Sequence, residues 1–410
     1  MTAKVQTIRF KDDLGNDFPD WETAPLGAVA DIKLGKMLDK EKQTAGCLLP
    51  YLNNISLRWN YVDTSNLPQM YFRDHELERF GLRAGDVVVC EGGEPGRSAV
   101  WDGRLPDLKF QKAIHRVRFK ESFEPCLLVL YLEKIAGTAK FEMLFTGGGI
   151  KHLTKETFSR LTVPVITLPE QRKIADFLTA VDRRIGQLIQ KKALLEDYKK
   201  GVMQQLFTQA IRFKGDHGND FPEWEEKKLG EIATFTKGSG ISKAEVHEDG
   251  VTPCIRYGEL YTHYSELIVE VKSRTNVEPK NLVMSQRNDV IIPASGETHI
   301  DIATASCVME AGIALGGDLN IIRAKTNGVF LAYYLNNAMK HGIARMAQGS
   351  SVIHLYPAQL KLLKLTVPSV PEQTKIADFL CALDRKIESV TTQITETQTF
   401  KRGLLQQMFV

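Results

Sequence analysis

Several clusters in this chain carry residue types that could do chemistry, and each lacks a part its chemistry needs. Phe145-Thr146-Gly147-Gly148-Gly149 has the spacing of the FxGxG loop with which methyltransferases hold a methyl donor. That chemistry also requires an Asn/Asp-Pro-Pro-Tyr/Phe partner, and the chain has no Pro-Pro pair. Gly92–Ser98 is glycine-rich like a phosphate-binding loop but lacks the lysine and the four-residue gap of GxxxxGK[ST], so nucleotide hydrolysis is unsupported. His75-Glu76 is followed by Arg79, where a zinc protease needs its second histidine. Glu278-Pro279-Lys280 has the order of a nuclease ExK, with a proline that would break the strand the motif requires. No GxSxG nucleophile elbow occurs. The six cysteines, at 47, 90, 126, 254, 307 and 381, form no CxxC pair, which fits a reducing compartment and argues against a disulfide framework and a zinc site. The residues therefore predict no catalytic group, no metal and no cofactor, and the weight falls on binding.

The elements that would position a binding surface are legible in a duplication. Residues 8–27, IRFKDDLGNDFPDWETAPLG, match residues 211–230, IRFKGDHGNDFPEWEEKKLG, at 14 of 20 positions. PEQRKIADFLTAVDRRI from Pro169 matches PEQTKIADFLCALDRKI from Pro371 at 13 of 17. The offsets, 203 and 202, describe one tandem repeat of half the chain. The inserts between these blocks are much less alike. Short echoes survive in them, Gly85-Asp86-Val87-Val88 against Asn288-Asp289-Val290-Ile291 and His152-Leu153 against His354-Leu355. A kept frame with varied inserts suggests one scaffold presenting two different readers.

The frame contains two long helices. Ile174, Leu178, Val181, Ile185, Leu188, Leu195, Val202 and Leu206 fall in alternating steps of four and three, with Lys192 and Lys199 at the missing positions. Ile376, Leu380, Leu383, Ile387, Val390, Ile394, Leu404 and Met408 repeat the pattern, interrupted by Thr397 and Lys401. Such spacing is a coiled-coil seam, and Pro169 and Pro371 suit first helical turns. Two independent surface helices are the alternative to their packing together. The heptads do not set orientation, but a ring argument does. The first helix ends at Phe207 and runs into TQAIRFK; the chain ends at Phe409-Val410 where that segment would begin, and the N-terminus supplies it as VQTIRFK. Antiparallel helices make this cut ring symmetric. In the inserts, Asp86–Cys90, Ile114–Phe119, Asp289–Ile292 and Leu319–Arg323 read as strands. Cys126–Ala136 and Val329–His341 read as helices. The class is α/β or α+β: two similar domains joined by two long helices in an antiparallel coiled coil, with a pseudo-two-fold internal repeat.

Composition narrows the partners. The chain has 410 residues, 43% hydrophobic and 25% charged, as in ordinary globular proteins. Its longest apolar run, Cys126–Leu132, is too short to span a membrane. The segment MTAKVQTIRF has no apolar core of a secretory signal, so a cytoplasmic location is expected. With 53 basic and 50 acidic residues the net charge is +3, so local patches must hold any polyanion.

Two repeated motifs carry a resemblance. VP followed by PEQxKIADFLxAxDRxI occurs at 163–185 and at 367–387, each time closing an insert and opening a long helix. DFPxWExxxLGxxA recurs at 17–30 and 220–233. In these motifs and in its whole organisation the chain resembles the specificity subunit of type I restriction-modification systems. The resemblance implies target-recognition domains at 1–164 and 211–368 and conserved long helices at 165–210 and 369–410. It implies that each domain reads one half of a bipartite site in double-stranded DNA. The frame would bind two methyltransferase (modification) subunits, restriction subunits would complete the complex, and this chain would be non-catalytic. Two departures stand out. The link between VP and PEQ is four residues in the first copy (Val165–Leu168) and two in the second (Ser369–Val370), and the second helix is richer in threonine. Both predict unequal partner-binding surfaces.

Basic groups fix a protein on phosphates while donors and acceptors read base edges. Candidates are Arg97, Lys109, Arg116, Arg118, Lys140 and Lys151 in the first insert, and Arg256, Lys272, Arg274, Arg287, Arg323 and Arg345 in the second. The loops Thr146–His152 and Gln348–His354 carry little side chain and could approach DNA or simply be tight turns. Tyr257, Tyr261 and Tyr264 could touch DNA or pack in a core. The rival classes are a non-catalytic coiled-coil scaffold that never meets DNA and a nuclease of unfamiliar site.

Overall fold

Proline in the first turn, followed by glutamate and glutamine, starts each of two long helices, Leu168–Phe207 and Val370–Met408. At 1.5 Å per residue each is a rod of about 60 Å. The computed structural model describes residues 8–37, 46–120, 123–147 and 151–409. Residues up to Ile189 together with those from Thr392 onward form one compact unit, and Gln190–Thr391 form the other. In the first unit Ile174 and Leu178 share a buried cluster with Leu404, Leu405, Met408 and Phe409. In the second, Met203 and Leu206 share one with Ile376, Ala377, Leu380 and Leu383. In each unit the start of one helix meets the end of the other, so the helices pack antiparallel, and none of the sixteen predicted seam residues is exposed.

The divergent inserts fold alike. In the first unit a four-stranded sheet runs in the order Ala30–Leu34, Ile114–Phe119, Val87–Cys90, Ser98–Val100. In the second the order is Ala233–Lys237, Leu319–Ala324, Asp289–Pro293, Ser306–Val308, with Leu267–Ile268 added at the edge. Alternation sends Val87 and Val89 to one face, where Leu128 and Leu132 of the helix Pro125–Ile135 cover them. Val88 and Cys90 go to the other face, against Phe110 and Trp101. Val290 and Ile292 pack with the helix Gly328–Asn337 in the same way, and Ile291 with Ile255 and Leu315.

A small sheet forms the third layer of each unit. Cys47–Leu52 pairs antiparallel with Gln69–Phe72 and parallel with Lys109–Phe110. Thr252–Ile255 pairs antiparallel with Ser273–Thr275 and parallel with Ala314–Leu315. Helices covering one face of a largely antiparallel sheet make the class α+β.

Three expectations change. The helix expected over Val329–His341 is two, Gly328–Asn337 and Lys340–Met346. Asn337 donates its side-chain amide back to the Tyr333 carbonyl at 2.8 Å, and Asn336 exchanges bonds of 2.7 and 2.8 Å with Ala305. Side chains that bond backbone groups locally end helices. The unequal link before the second motif vanishes: Val165 stands opposite Glu22 as Val367 stands opposite Glu225. The matching residue of the first copy is thus Val165, not Val163, and strand to helix is equally long in both. The expectation that the polar seam positions match between the copies holds for Lys199 and Lys401 alone: Lys192 corresponds to Ile394 and Thr397 to Leu195, and Lys192 faces Glu196 of its own helix at 3.7 Å. For the ring, Ile8, Phe10 and Trp21 pack on Leu404, Leu405, Met408 and Phe409, as Phe213 and Trp224 pack on Met203 and Leu206. Val5, Gln6, Thr7 and Val410 lie outside the described residues.

Candidate nucleic-acid interface

The echo of Gly85-Asp86 in Asn288-Asp289 has a structural cause. Gly85 and Asn288 adopt positive φ, +88° and +77°, which glycine tolerates and asparagine tolerates better than most side chains. The carboxylate that follows accepts from the backbone three residues earlier, Arg83 N–H at 2.7 Å or Gln286 N–H at 2.8 Å. It also grips an arginine of the neighbouring strand in the order already described. Arg118 donates twice to Asp86, both at 2.7 Å, and Arg323 Nε donates to Asp289 at 3.0 Å. That bonding to Asp86 holds the Arg118 guanidinium above its usual range.

Of the twelve predicted basic residues, several therefore hold the domain itself. Besides Arg118 and Arg323, Arg116 is 1% exposed, donates to the Gly81 carbonyl at 2.9 Å and lies over the Phe110 ring. Burial pushes its guanidinium below the ordinary value. Lys109 is buried, 3.8 Å from Asp107. Arg97 bridges Glu94 at 2.7 Å and the Asn54 carbonyl at 2.6 Å. Arg274 ties the carbonyls of Gly250 and Val251 at 2.5 and 2.7 Å.

The others lie at the surface. The side chains of Lys140, Lys272 and Arg287 are exposed, with no hydrogen bond or ion pair among the described residues. Lys151 is exposed, 3.1 Å from Glu142 and over the Phe145 ring. Arg256 is half-buried. Exposed Arg345 lines an open depression of about 640 Å³ with His299, His341 and Ala344. Tyr257 and Tyr264 pack on the Ile255–Leu315 cluster, and Tyr264 Oη accepts from Lys272 N–H at 3.1 Å. Tyr261 stays half-exposed.

Each glycine-rich loop is closed at its base by backbone pairing, matched between units. Thr146 and His152 exchange backbone bonds of 2.8 and 2.9 Å, and Leu153 N–H donates to the Glu91 carbonyl. Gln348 and His354 exchange bonds of 2.9 and 2.7 Å, and Leu355 N–H donates to the Ala294 carbonyl. Each hairpin thus closes on the loop leaving the central strand, the loop that begins at Glu91 or at Ala294. Gly148, Gly149 and Ile150 lie outside the described residues. Histidine recurs at the hairpin base, His152 and His354, the latter stacked with Tyr356. Burial raises the Glu91 carboxyl, beside His152.

Little here offers a nucleophile. Burial pushes the Cys90 and Cys254 thiols up to about 11 and the Cys126 and Cys307 thiols to about 12, so each is held protonated. Burial lowers His115, whose Nε2 lies 2.6 Å from the Leu153 carbonyl. No cluster of metal-ligating side chains occurs among the described residues. No helix among them is long and apolar enough to cross a membrane.

Reasoning from sequence missed the clasps that keep the repeated blocks repeated. Arg9 donates to buried Glu170 at 3.2 and 3.0 Å, and to the Pro19 carbonyl at 2.7 Å. Arg212 donates to buried Glu372 at 3.1 and 3.0 Å, and to the Pro222 carbonyl at 2.6 Å. Beside each glutamate, Gln171 or Gln373 donates to a backbone carbonyl before the helix, Ile166 at 2.6 Å or Pro368 at 2.9 Å. An arginine and a glutamate kept together in both copies, some 160 residues apart, was the available signal.

Comparison with known proteins agrees with this geometry. The family described as type I restriction modification DNA specificity domain matches residues 19–197 and again 222–398. The type I restriction enzyme MjaVIII specificity subunit of Methanocaldococcus jannaschii is 25% identical, covering 97% of this chain and 94% of its own. A putative MjaX specificity subunit of the same organism is 22% identical, covering 96% and 94%. The S subunit of M. genitalium superposes with a TM-score of 0.59 at 18% identity, over 97% of each chain. A chain from a study of complex assembly and conformational transition of the type I R-M system gives 0.58 at 15% identity, covering 96% of this chain and 98% of its own. With both family matches falling on the two halves of the duplication, the chain belongs to the type I restriction-modification DNA specificity family.

Proposed function

We propose that this chain is the DNA-recognition subunit of a type I restriction-modification complex, each unit reading one half of a bipartite site. The observation that carries the reading is the pairing of a shared four-strand order with divergent surface loops. The Arg9–Glu170 clasp of the frame is duplicated as Arg212–Glu372, while the residue before the shared hairpin histidine is exposed Lys151 in one unit and buried Ile353 in the other. Surface side chains left without internal partners, Lys140, Lys272 and Arg287 among them, are the phosphate candidates. The six held by partners inside their own domain, of which Lys109 and Arg116 are buried, serve the fold.

Two modification subunits bind the helical frame, and restriction subunits join in the full complex. Leu194 and Tyr198, 62% and 53% exposed on the first long helix, are apolar surface that a partner would cover. A net charge of +3 leaves many phosphate contacts to those partners. The chain acts in the cytoplasm and contributes recognition, not catalysis.

Co-expression with the cognate modification subunit, followed by methylation sequencing of a random DNA library, tests this. Methylation at one split motif, lost when this chain is omitted, is expected. Methylation that ignores the chain would instead favour the scaffold reading. Cleavage of DNA by the purified chain with magnesium alone would favour a nuclease.

A further inference from the structure

A lysine in a helix seam is costly, because its ammonium leaves water, and an apolar residue of similar volume often stabilises as well or better. The chain nevertheless keeps two such lysines at equivalent positions, 199 and 401. Lys401 is 4% exposed and donates to Asp182 at 2.7 Å and to Glu133 at 2.6 Å. Lys199 lies 2.6 Å from Asp384 and 3.8 Å from Glu266, with its ammonium 5.1 Å from the Tyr333 ring centre. The Tyr333 hydroxyl donates to the same Asp384. The aspartates, like the lysines, are 202 residues apart.

Each arrangement joins three elements within one unit. The lysine comes from one long helix, the aspartate from the other, and the third group, Glu133 or Tyr333, from the helix that covers the central sheet. A slip of one heptad would carry the lysine about 10 Å from its aspartate and strand a buried charge. The apolar seam alone tolerates that slip, since its residues are nearly interchangeable. Polar seam positions that specify register at some cost in stability are a known use of such groups.

We propose that Lys199 and Lys401 are positioning residues: each pins the register of the two long helices and seats its recognition domain on them, and so restricts the spacing at which half-sites are accepted. The proposal rests on the DNA-recognition reading above.

The test uses the complex with modification subunits and a library in which the gap between the half-sites is varied. Lys199→Met and Lys401→Met fill the same space without charge. Asp182→Asn and Asp384→Asn remove only the interhelical charge, and serve if the methionine variants do not assemble. Expected is a several-fold rise in methylation at altered spacings relative to the native one, with Lys401→Arg keeping the native preference. An unchanged ratio in the asparagine variants overturns the proposal, even if total methylation or thermal stability falls, because a merely structural role lowers amount without altering spacing. A wild-type complex that methylates no split motif overturns the DNA-recognition reading, and this proposal with it.

Discussion

At the scale of residues, the same charge does opposite things depending on where the backbone carries it. Arg118 is spent on buried Asp86, so Arg118→Ala strands a carboxylate. It should cost about 3 kcal/mol in chemical denaturation, the low end for breaking a buried pair. Arg287 has no such duty, and Arg287→Ala should leave stability within about 0.5 kcal/mol. It should weaken DNA binding by the complex uniformly across sequences and reduce the salt slope by about one, measured by titration at several salt concentrations. His115 gives a pH prediction. Burial holds its imidazole below the ordinary 6.5, where the unfolded chain titrates. The stability it contributes is therefore complete above that value and is lost as pH falls, because the unfolded state takes up the proton first. Melting curves between about pH 7 and pH 5 should show a smaller acid-side loss for His115→Gln than for the wild type.

At the scale of elements, a seam whose residues are all sheltered and whose helices run antiparallel behaves as a rod of defined length. Adding four residues, about one turn, to each long helix lengthens it by about 6 Å. If the rod sets the gap between half-sites, the methylated motif should widen by one or two base pairs, at ~3.4 Å each. Unchanged spacing in such a variant would mean the gap is set elsewhere. The matched hairpins make a different kind of element. Their backbone pairing and base histidine are duplicated although most other side chains are not, which is what a support for variable contacts requires.

At the scale of the molecule, the two inserts enter and leave the frame through the same bond. Leu26 N–H donates to the Leu161 carbonyl, and Leu229 N–H to the Leu363 carbonyl, both at 2.8 Å. Replacing residues 26–161 with a second copy of 229–363 should therefore close without strain. The product should recognise an inverted repeat of one half-site, read by methylation sequencing. Methylation at the original split motif would show that the insert does not carry the specificity.

The sequence by itself determined the duplication, the two helices and their seam, because these rest on identity and periodicity that survive without coordinates; the choice between α/β and α+β came from the antiparallel strand pairing. Ile114–Phe119 and Asp289–Ile292 were legible as short strand-like runs between turn residues, and the second extends to Pro293 in the structure. Only the tertiary structure decided which basic residues face water. Arg116 and Arg287 look alike in the chain, yet one is closed in by Phe110 and Gly81 and the other is not, and that depends on strands distant in sequence. Tertiary pairing also placed Val165 opposite Glu22, which restored an equality between the copies that matching VP to VP had hidden. Register is a property of two chain segments together, and a motif read along one segment cannot contain it.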